Sequence, residues 1–164
     1  MRKATLLTLV AVLSSATSLA LAEIGRPGTP ERKGLFSQSD VEKVWKTAVA
    51  KRKPMLVMFT SEHCGYCDKM LADTYGHPGI RQMLAARTET VLAHAEDYRG
   101  LTKKLGIRGY PTSLLISPQG EVLEFMQGYV DPKAFAERVG PVLAAHNART
   151  LATANAVSRS TSER

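Results

Sequence analysis

Met55-Leu56-Val57-Met58-Phe59-Thr60-Ser61-Glu62-His63-Cys64-Gly65-Tyr66-Cys67 is the stretch that decides the fold of this chain. Met55 to Phe59 is an unbroken apolar run, the pattern of a strand covered on both faces. A polar turn follows, then a helical pattern from Cys64 to about Tyr75. The two cysteines are the only ones in 164 residues. In the order strand, tight turn, Cys-x-x-Cys, helix, the motif points to redox chemistry instead of metal binding. Cys64 falls at the predicted helix N-terminus, where unpaired backbone N–H groups and the positive end of the macrodipole favour a thiolate. The thiolate is the nucleophilic form. Cys67 lies one turn along, within reach of a mixed disulfide formed on Cys64. An inert structural bridge is the competing reading, but closing so short a loop removes little chain entropy.

Upstream, Ser39 reads as an N-cap with Glu42 three residues later as its capping-box partner. Val41, Val44, Trp45, Ala48 and Val49 then give one apolar helical face, and Pro54 stops the helix. Trp45 is read as a core anchor. Glu23 to Phe36 carries Gly25, Pro27, Gly28, Pro30 and Gly34, the composition of an exposed leader. Residues 1–22 read as a secretory signal peptide. Arg2 and Lys3 form the charged start, Ala4 to Ala16 is mostly apolar, and Ala20-Leu21-Ala22 is a small-x-small cleavage pattern that makes Glu23 the expected mature N-terminus. Thr5, Thr8, Ser14, Ser15, Thr17 and Ser18 interrupt the apolar run, which argues against an uncleaved membrane span. Cleavage leaves about 140 residues, one domain's worth. Export suits a bacterial periplasmic protein, in a compartment where disulfides persist.

The hydrophobic fraction of 44% is that of a globular chain. The formal net charge of +7 is scattered, with its densest run at Lys51-Arg52-Lys53. No stripe of basic residues alternates with aromatics, so no nucleic-acid partner is expected.

Downstream of the cysteines, His77-Pro78-Gly79 is a turn or the start of a short helix to Arg87, with Ile80, Met83 and Leu84 inward. Glu89 to Ala95 reads as a second strand, and Asp97 to Leu105 as a short helix or turn closed by Gly106. Thr112 to Ser117 and Glu121 to Gln127 form an antiparallel hairpin around Pro118-Gln119-Gly120. Asp131 caps a last helix with Pro132 at its first position, which Gly140-Pro141 should kink or divide. From about Ala145 the Ser/Thr/Ala/Arg-rich sequence loses its periodicity and is expected to fray. The order of elements predicts an α/β sandwich on a mixed sheet.

With these motifs in place the chain resembles the thioredoxin superfamily over about residues 35–146. Three segments carry the likeness: Phe59 to Cys67, Ile107-Arg108-Gly109-Tyr110-Pro111-Thr112, and the hairpin Thr112 to Gln127 with Gly128 and the last helix. The resemblance implies the thioredoxin fold, a central mixed sheet of four strands, or five, with helices on both faces. It implies Cys64 as the attacking and Cys67 as the resolving cysteine. It also implies a cis Pro111 beside the disulfide and a Tyr110 backbone turned out to pair with an extended substrate. The chain departs from thioredoxins at His63, before the motif, and at Tyr66, inside it. Met58 stands six residues before the first cysteine, where thioredoxins keep a buried acid. The residues around and between the cysteines, Glu62, His63, Gly65 and Tyr66, are the candidates for tuning the pair. His63 has a solvated-loop reading beside that role. Cys-Gly-Tyr-Cys is similar to the tetrad of periplasmic disulfide isomerases, whereas Gly-Tyr-Pro-Thr is similar to the loop of thioredoxins and protein disulfide isomerase domains.

The function expected from these residues is that of a periplasmic thiol–disulfide oxidoreductase. It would most readily reduce disulfides of exported proteins, through a Cys64 mixed disulfide resolved by Cys67. Isomerisation or oxidation by the same pair is the alternative, and a metal-binding module or a non-catalytic interaction domain lies further off. No metal or organic cofactor is expected. The expected partners are protein disulfides or dithiols and a membrane-embedded redox protein, with the chain itself a monomer. The expected organisation is a signal peptide over residues 1–22, a leader over 23–36, the thioredoxin-like domain over 37–146 and a flexible tail over 147–164.

Overall fold

A computed structural model describes residues 34–162 of the chain; the expected signal peptide and most of the leader lie outside them. The elements run α1 (Val41–Lys51), β1 (Met55–Thr60), α2 (Gly65–Lys69), a π-helical turn (Met70–Thr74), α3 (Pro78–Arg87), β2 (Glu89–His94), α4 (Arg99–Lys104), β3 (Thr112–Ile116), β4 (Val122–Gln127) and α5 (Pro132–Ser162). The four strands form one sheet in the order β2-β1-β3-β4. β1 pairs with β2 in parallel and with β3 antiparallel, and β3 pairs antiparallel with β4. This is the mixed α/β arrangement of the thioredoxin fold, with four strands and no fifth among the described residues.

Every residue of β1 is buried. Side chains alternate across a strand, so an unbroken apolar run serves two layers at once. Leu56 and Met58 enter a cluster with Cys67, Met70, Tyr75, Ile80, Leu84, Leu115, Met126, Phe135, Val139 and Leu143, under α2, α3 and α5. Met55, Val57 and Phe59 enter the opposite cluster with Val44, Ala48, Val91, Ala93 and Leu114, to which α4 adds Leu101. The helices thus cover both faces. Trp45 is half-buried against this second cluster, in keeping with a packing role, but Val49 points outward and is 42% exposed.

The N-cap of α1 differs from the sequence expectation. Asp40, not Ser39, caps the helix: its side chain accepts the Lys43 N–H at 3.0 Å. Ser39 contributes only its carbonyl, which accepts the Tyr98 hydroxyl at 2.9 Å, while Tyr98 Oη accepts the Val41 N–H at 3.1 Å. A tyrosine 57 residues away therefore satisfies the helix end that a local reading assigned to serine.

The helix after the cysteines loosens into a π-turn, where buried Thr74 donates to the Val130 carbonyl at 2.5 Å. Gly76 closes it, and only glycine fits, because a Cβ there would lie 2.0 Å from the Ala72 carbonyl oxygen.

A second difference is α5, which continues through Gly140-Pro141 to Ser162 instead of dividing and giving way to an irregular tail. Pro141 forfeits one helical hydrogen bond. Phe135 and Val139 before it and Leu143 after it are all fully buried on one stripe, so packing carries the helix across the gap. Beyond it, Ala, Leu and Arg supply intrinsic helix propensity without an apolar face, a signal that a search for periodicity passes over.

Candidate active site

The candidate site lies where β1 ends. Thr60 finishes the strand, Ser61 to His63 turn the chain, and Cys64 is the N-cap of α2. His63 takes the left-handed conformation, with φ 56°. Cys64 Sγ accepts the Cys67 N–H at 3.2 Å, and its carbonyl accepts the N–H groups of Cys67 at 2.9 Å and Asp68 at 3.1 Å. The sulfur thus occupies the place of a capping oxygen, where backbone donors favour negative charge on it. Cys64 and Cys67 are joined by a disulfide, with their Cα atoms 5.2 Å apart. Access to the two differs. Cys64 is half-buried, whereas Cys67 is 1% exposed and packs in the cluster of Met58 and Met70. Between them Gly65 is exposed and Tyr66 is 67% exposed.

The loop before β3 supplies the second part. The Tyr110–Pro111 peptide is cis. Thr112 Oγ1 donates to the Gly109 carbonyl at 2.6 Å, and the Gly128 N–H donates to the Pro111 carbonyl at 2.7 Å, tying this loop to the end of β4. Pro111 is buried and Tyr110 half-buried. Cys64, Tyr110 and Tyr129 all pack on the cluster that contains Cys67, so the structure gathers both sequence motifs at one end of the central strands β1 and β3.

Other expected residues stand differently. The Glu62 side chain is exposed and makes no side-chain hydrogen bond among the described residues; the acid that contacts this loop is Glu96, whose Oε1 accepts the Glu62 N–H at 3.2 Å. His63 is exposed, without a hydrogen-bond partner for its ring among the described residues. Met58 is fully buried and lies opposite Ser113 in the sheet. On that face the polar group is the pair Tyr75 and Ser113, whose hydroxyls are 2.6 Å apart and buried. Burial pushes the Tyr75 phenol well above its usual pKa, against a smaller opposing pull from the Ser113 bond. No group of three His, Cys, Asp or Glu side chains suited to a metal ion occurs among the described residues.

Several neighbours of the site carried no local signal. Asp73, on the π-turn, bonds Lys69 at 2.6 Å and accepts the Tyr129 hydroxyl at 3.3 Å, while the Lys69 ammonium sits 5.1 Å from the Tyr129 ring centre. The Lys69 hydrogen bond draws the Asp73 carboxyl below its ordinary pKa. Tyr129 is 56 residues from Asp73, and Glu96 is 34 from Glu62. Spacing along the chain cannot reveal such contacts.

A family model described as a thioredoxin-like domain matches residues 41–142. Among solved structures, the chain is similar to a thioredoxin from Thermus thermophilus, with TM-score 0.63 and 22% identity, over 70% of this chain and 92% of that one. It is similar to a DsbH oxidoreductase, with TM-score 0.56 and 16% identity, over 66% of this chain and 85% of that one. It is also similar to the C-terminal domain of DsbD from Neisseria meningitidis in its oxidised form, with TM-score 0.54 and 22% identity, over 61% of this chain and 93% of that one. At these identities the likeness establishes a shared fold. No curated protein matches the sequence.

Proposed function

The chain belongs to the thioredoxin-like family and is a thiol–disulfide oxidoreductase, and we propose that it reduces disulfides of exported proteins in the periplasm. The observation that carries the reading is the unequal access to the two sulfurs: Cys64 half-buried at a helix N-cap, Cys67 1% exposed behind it.

In this reading the Cys64 thiolate attacks one sulfur of a substrate disulfide. The substrate S–S bond breaks, a Cys64–substrate disulfide forms, and the released substrate sulfur takes up a proton. Cys67 then loses its proton and attacks Cys64 Sγ, which frees the second substrate thiol. The protein is left with the Cys64–Cys67 disulfide, having passed two electrons to the substrate. Burial of Cys67 keeps it from competing for substrate, and its place one turn from Cys64 makes the second step intramolecular. Tyr66, Tyr110 and Pro111 are the proposed contacts for an extended substrate segment; the exposure of Tyr66 and the packing of Tyr110 on the cluster that holds Cys67 support this. Gly65, His63 and Glu62 shape the approach to Cys64. The oxidised protein needs recharging, for which a membrane-embedded dithiol protein is the proposed donor. Residues 1–22, with their charged start and Ala20-Leu21-Ala22, support export.

The test is the reduction potential of the pair, equilibrated against glutathione or dithiothreitol. A value near that of thioredoxin, about −270 mV, supports a reductase; a value between about −120 and −180 mV reverses the direction to oxidation or isomerisation. The Cys67→Ser variant expressed with its native N-terminus should accumulate mixed disulfides with periplasmic proteins. The recovered chain should begin at Glu23 by intact mass, and a chain that keeps residues 1–22 and stays in the cytoplasmic fraction would remove the periplasmic assignment.

A further inference from the structure

The segment that delivers Cys64 is fastened at two points to the residues that follow β2. Ala95 N–H donates to the Thr60 carbonyl at 2.8 Å, and Glu96 Oε1 accepts the Glu62 N–H at 3.2 Å. Only His63 separates that second fastening from Cys64, and its φ of 56° is one that a residue with a Cβ holds at a cost. Released, His63 would return to the extended region and turn Cys64 out of the N-cap geometry in which its sulfur accepts the Cys67 N–H. The carboxylate is built for this contact. Its own backbone N–H and that of Glu62 hold it below the usual carboxylate pKa, with smaller help from His94 and Arg99, so it stays charged. Its second oxygen, Oε2, is covered from solvent and has no hydrogen-bond partner. An acid serving only solubility would keep both oxygens in water; an incompletely satisfied one beside a redox loop marks a position where local satisfaction gives way to function.

We propose that Glu96 is the positioning residue of the redox site. By holding the Glu62 N–H it keeps His63 left-handed, and so sets the orientation in which Cys64 meets both Cys67 and an incoming disulfide. This inference rests on the oxidoreductase reading above for its kinetic consequence but not for its spectroscopic one.

The experiment compares Glu96→Ala, Glu96→Gln and Glu96→Asp in the full chain. It measures the Cys64 thiol pKa from thiolate absorbance and the second-order rate with a small disulfide, here oxidised glutathione. Loss of one hydrogen bond to a charged acceptor should slow Glu96→Ala by about tenfold and raise the Cys64 pKa. Glu96→Gln, whose amide oxygen reaches the same N–H, should recover most of that loss. Glu96→Asp keeps the charge but draws the oxygen back, and should resemble Glu96→Ala. His63→Gly in the Glu96→Ala background should restore part of the rate, since glycine accepts positive φ freely. The proposal is overturned if Glu96→Ala loses thermal stability with thiol pKa and rate unchanged, or if Glu96→Asp is normal and Glu96→Gln is not. Should even the unmutated protein fail to react with any disulfide, the oxidoreductase reading fails, and the thiol pKa alone then decides the role of Glu96.

Discussion

Replacing Tyr75 by Phe and Ser113 by Ala, singly and together, probes a buried polar contact behind the cysteine pair. Tyr75 Oη and Ser113 Oγ are 2.6 Å apart, and the two residues are 2% and 0% exposed. Around them stand Met58 and Met126, the cross-strand neighbours of Ser113, so neither hydroxyl has water to turn to. Tyr75→Phe keeps the ring edge-on to Phe36 at 4.8 Å and Phe135 at 5.3 Å, but strands the serine hydroxyl. A stranded buried hydroxyl costs about 1–3 kcal/mol, so each single variant should lose about 2 kcal/mol. The double variant strands nothing and forfeits only the net value of one bond, about 1 kcal/mol. The double should therefore be more stable than either single, with a coupling of about 3 kcal/mol. Urea unfolding of the oxidised proteins, fitted as two-state, measures all four corners. pH adds a second reading. The folded phenol pKa is raised above the unfolded value of about 10. The pair's contribution is thus whole below about pH 10 and declines as pH rises beyond it, because the unfolded chain then gives up a proton that the native state retains. Tyr75→Phe should lack this alkaline decline. Additive single losses, or the same alkaline slope without the phenol, would refute the reasoning.

Met58→Asp puts a carboxyl at a fully buried position of β1, in the cluster that holds Cys67. Burial raises the folded pKa of such a group, so the loss of stability, already about 2 kcal/mol near pH 4 from the lost apolar packing, should grow as pH rises by urea unfolding. Asp40→Ala should cost about 1 kcal/mol, whereas Ser39→Ala, which leaves the carbonyl contact to Tyr98 intact, should be within about 0.5 kcal/mol of the parent. Deleting the chain from Asn147 onward should reduce helical circular dichroism yet lower unfolding free energy by less than about 1 kcal/mol, because most described side chains there are exposed. A larger loss would mean that the end of α5 packs on something.

The elements that carry the family likeness were legible because each is written locally. The apolar run of β1, the cysteine spacing at one helical turn, the hairpin turn at Pro118-Gln119-Gly120 and the Asp131-Pro132 helix start are each written within a few residues. Physics at that range — strand alternation, capping and turn conformation — needs no knowledge of the rest of the chain. Where the local reading went astray, something outside its reach was at work. At α1 a distant tyrosine engages the Ser39 carbonyl while Asp40 supplies the cap. At Pro141 packing of Phe135, Val139 and Leu143 outweighs a helix breaker, and beyond it propensity alone carries the helix.

Sequence by itself therefore determined which sulfurs pair, on which kind of element, and within which fold. Only the tertiary structure decided what surrounds them. It brings Glu96 rather than Glu62 onto the active-site loop, joins Tyr75 to Ser113 behind Met58, and sets Tyr129 against Lys69 and Asp73. Each of these contacts closes a loop of more than thirty residues. A hydroxyl or carboxylate can satisfy any suitable partner, so its identity along the chain does not name the group it meets. Packing of the two helical layers on the sheet makes that choice, by bringing particular partners within hydrogen-bond distance.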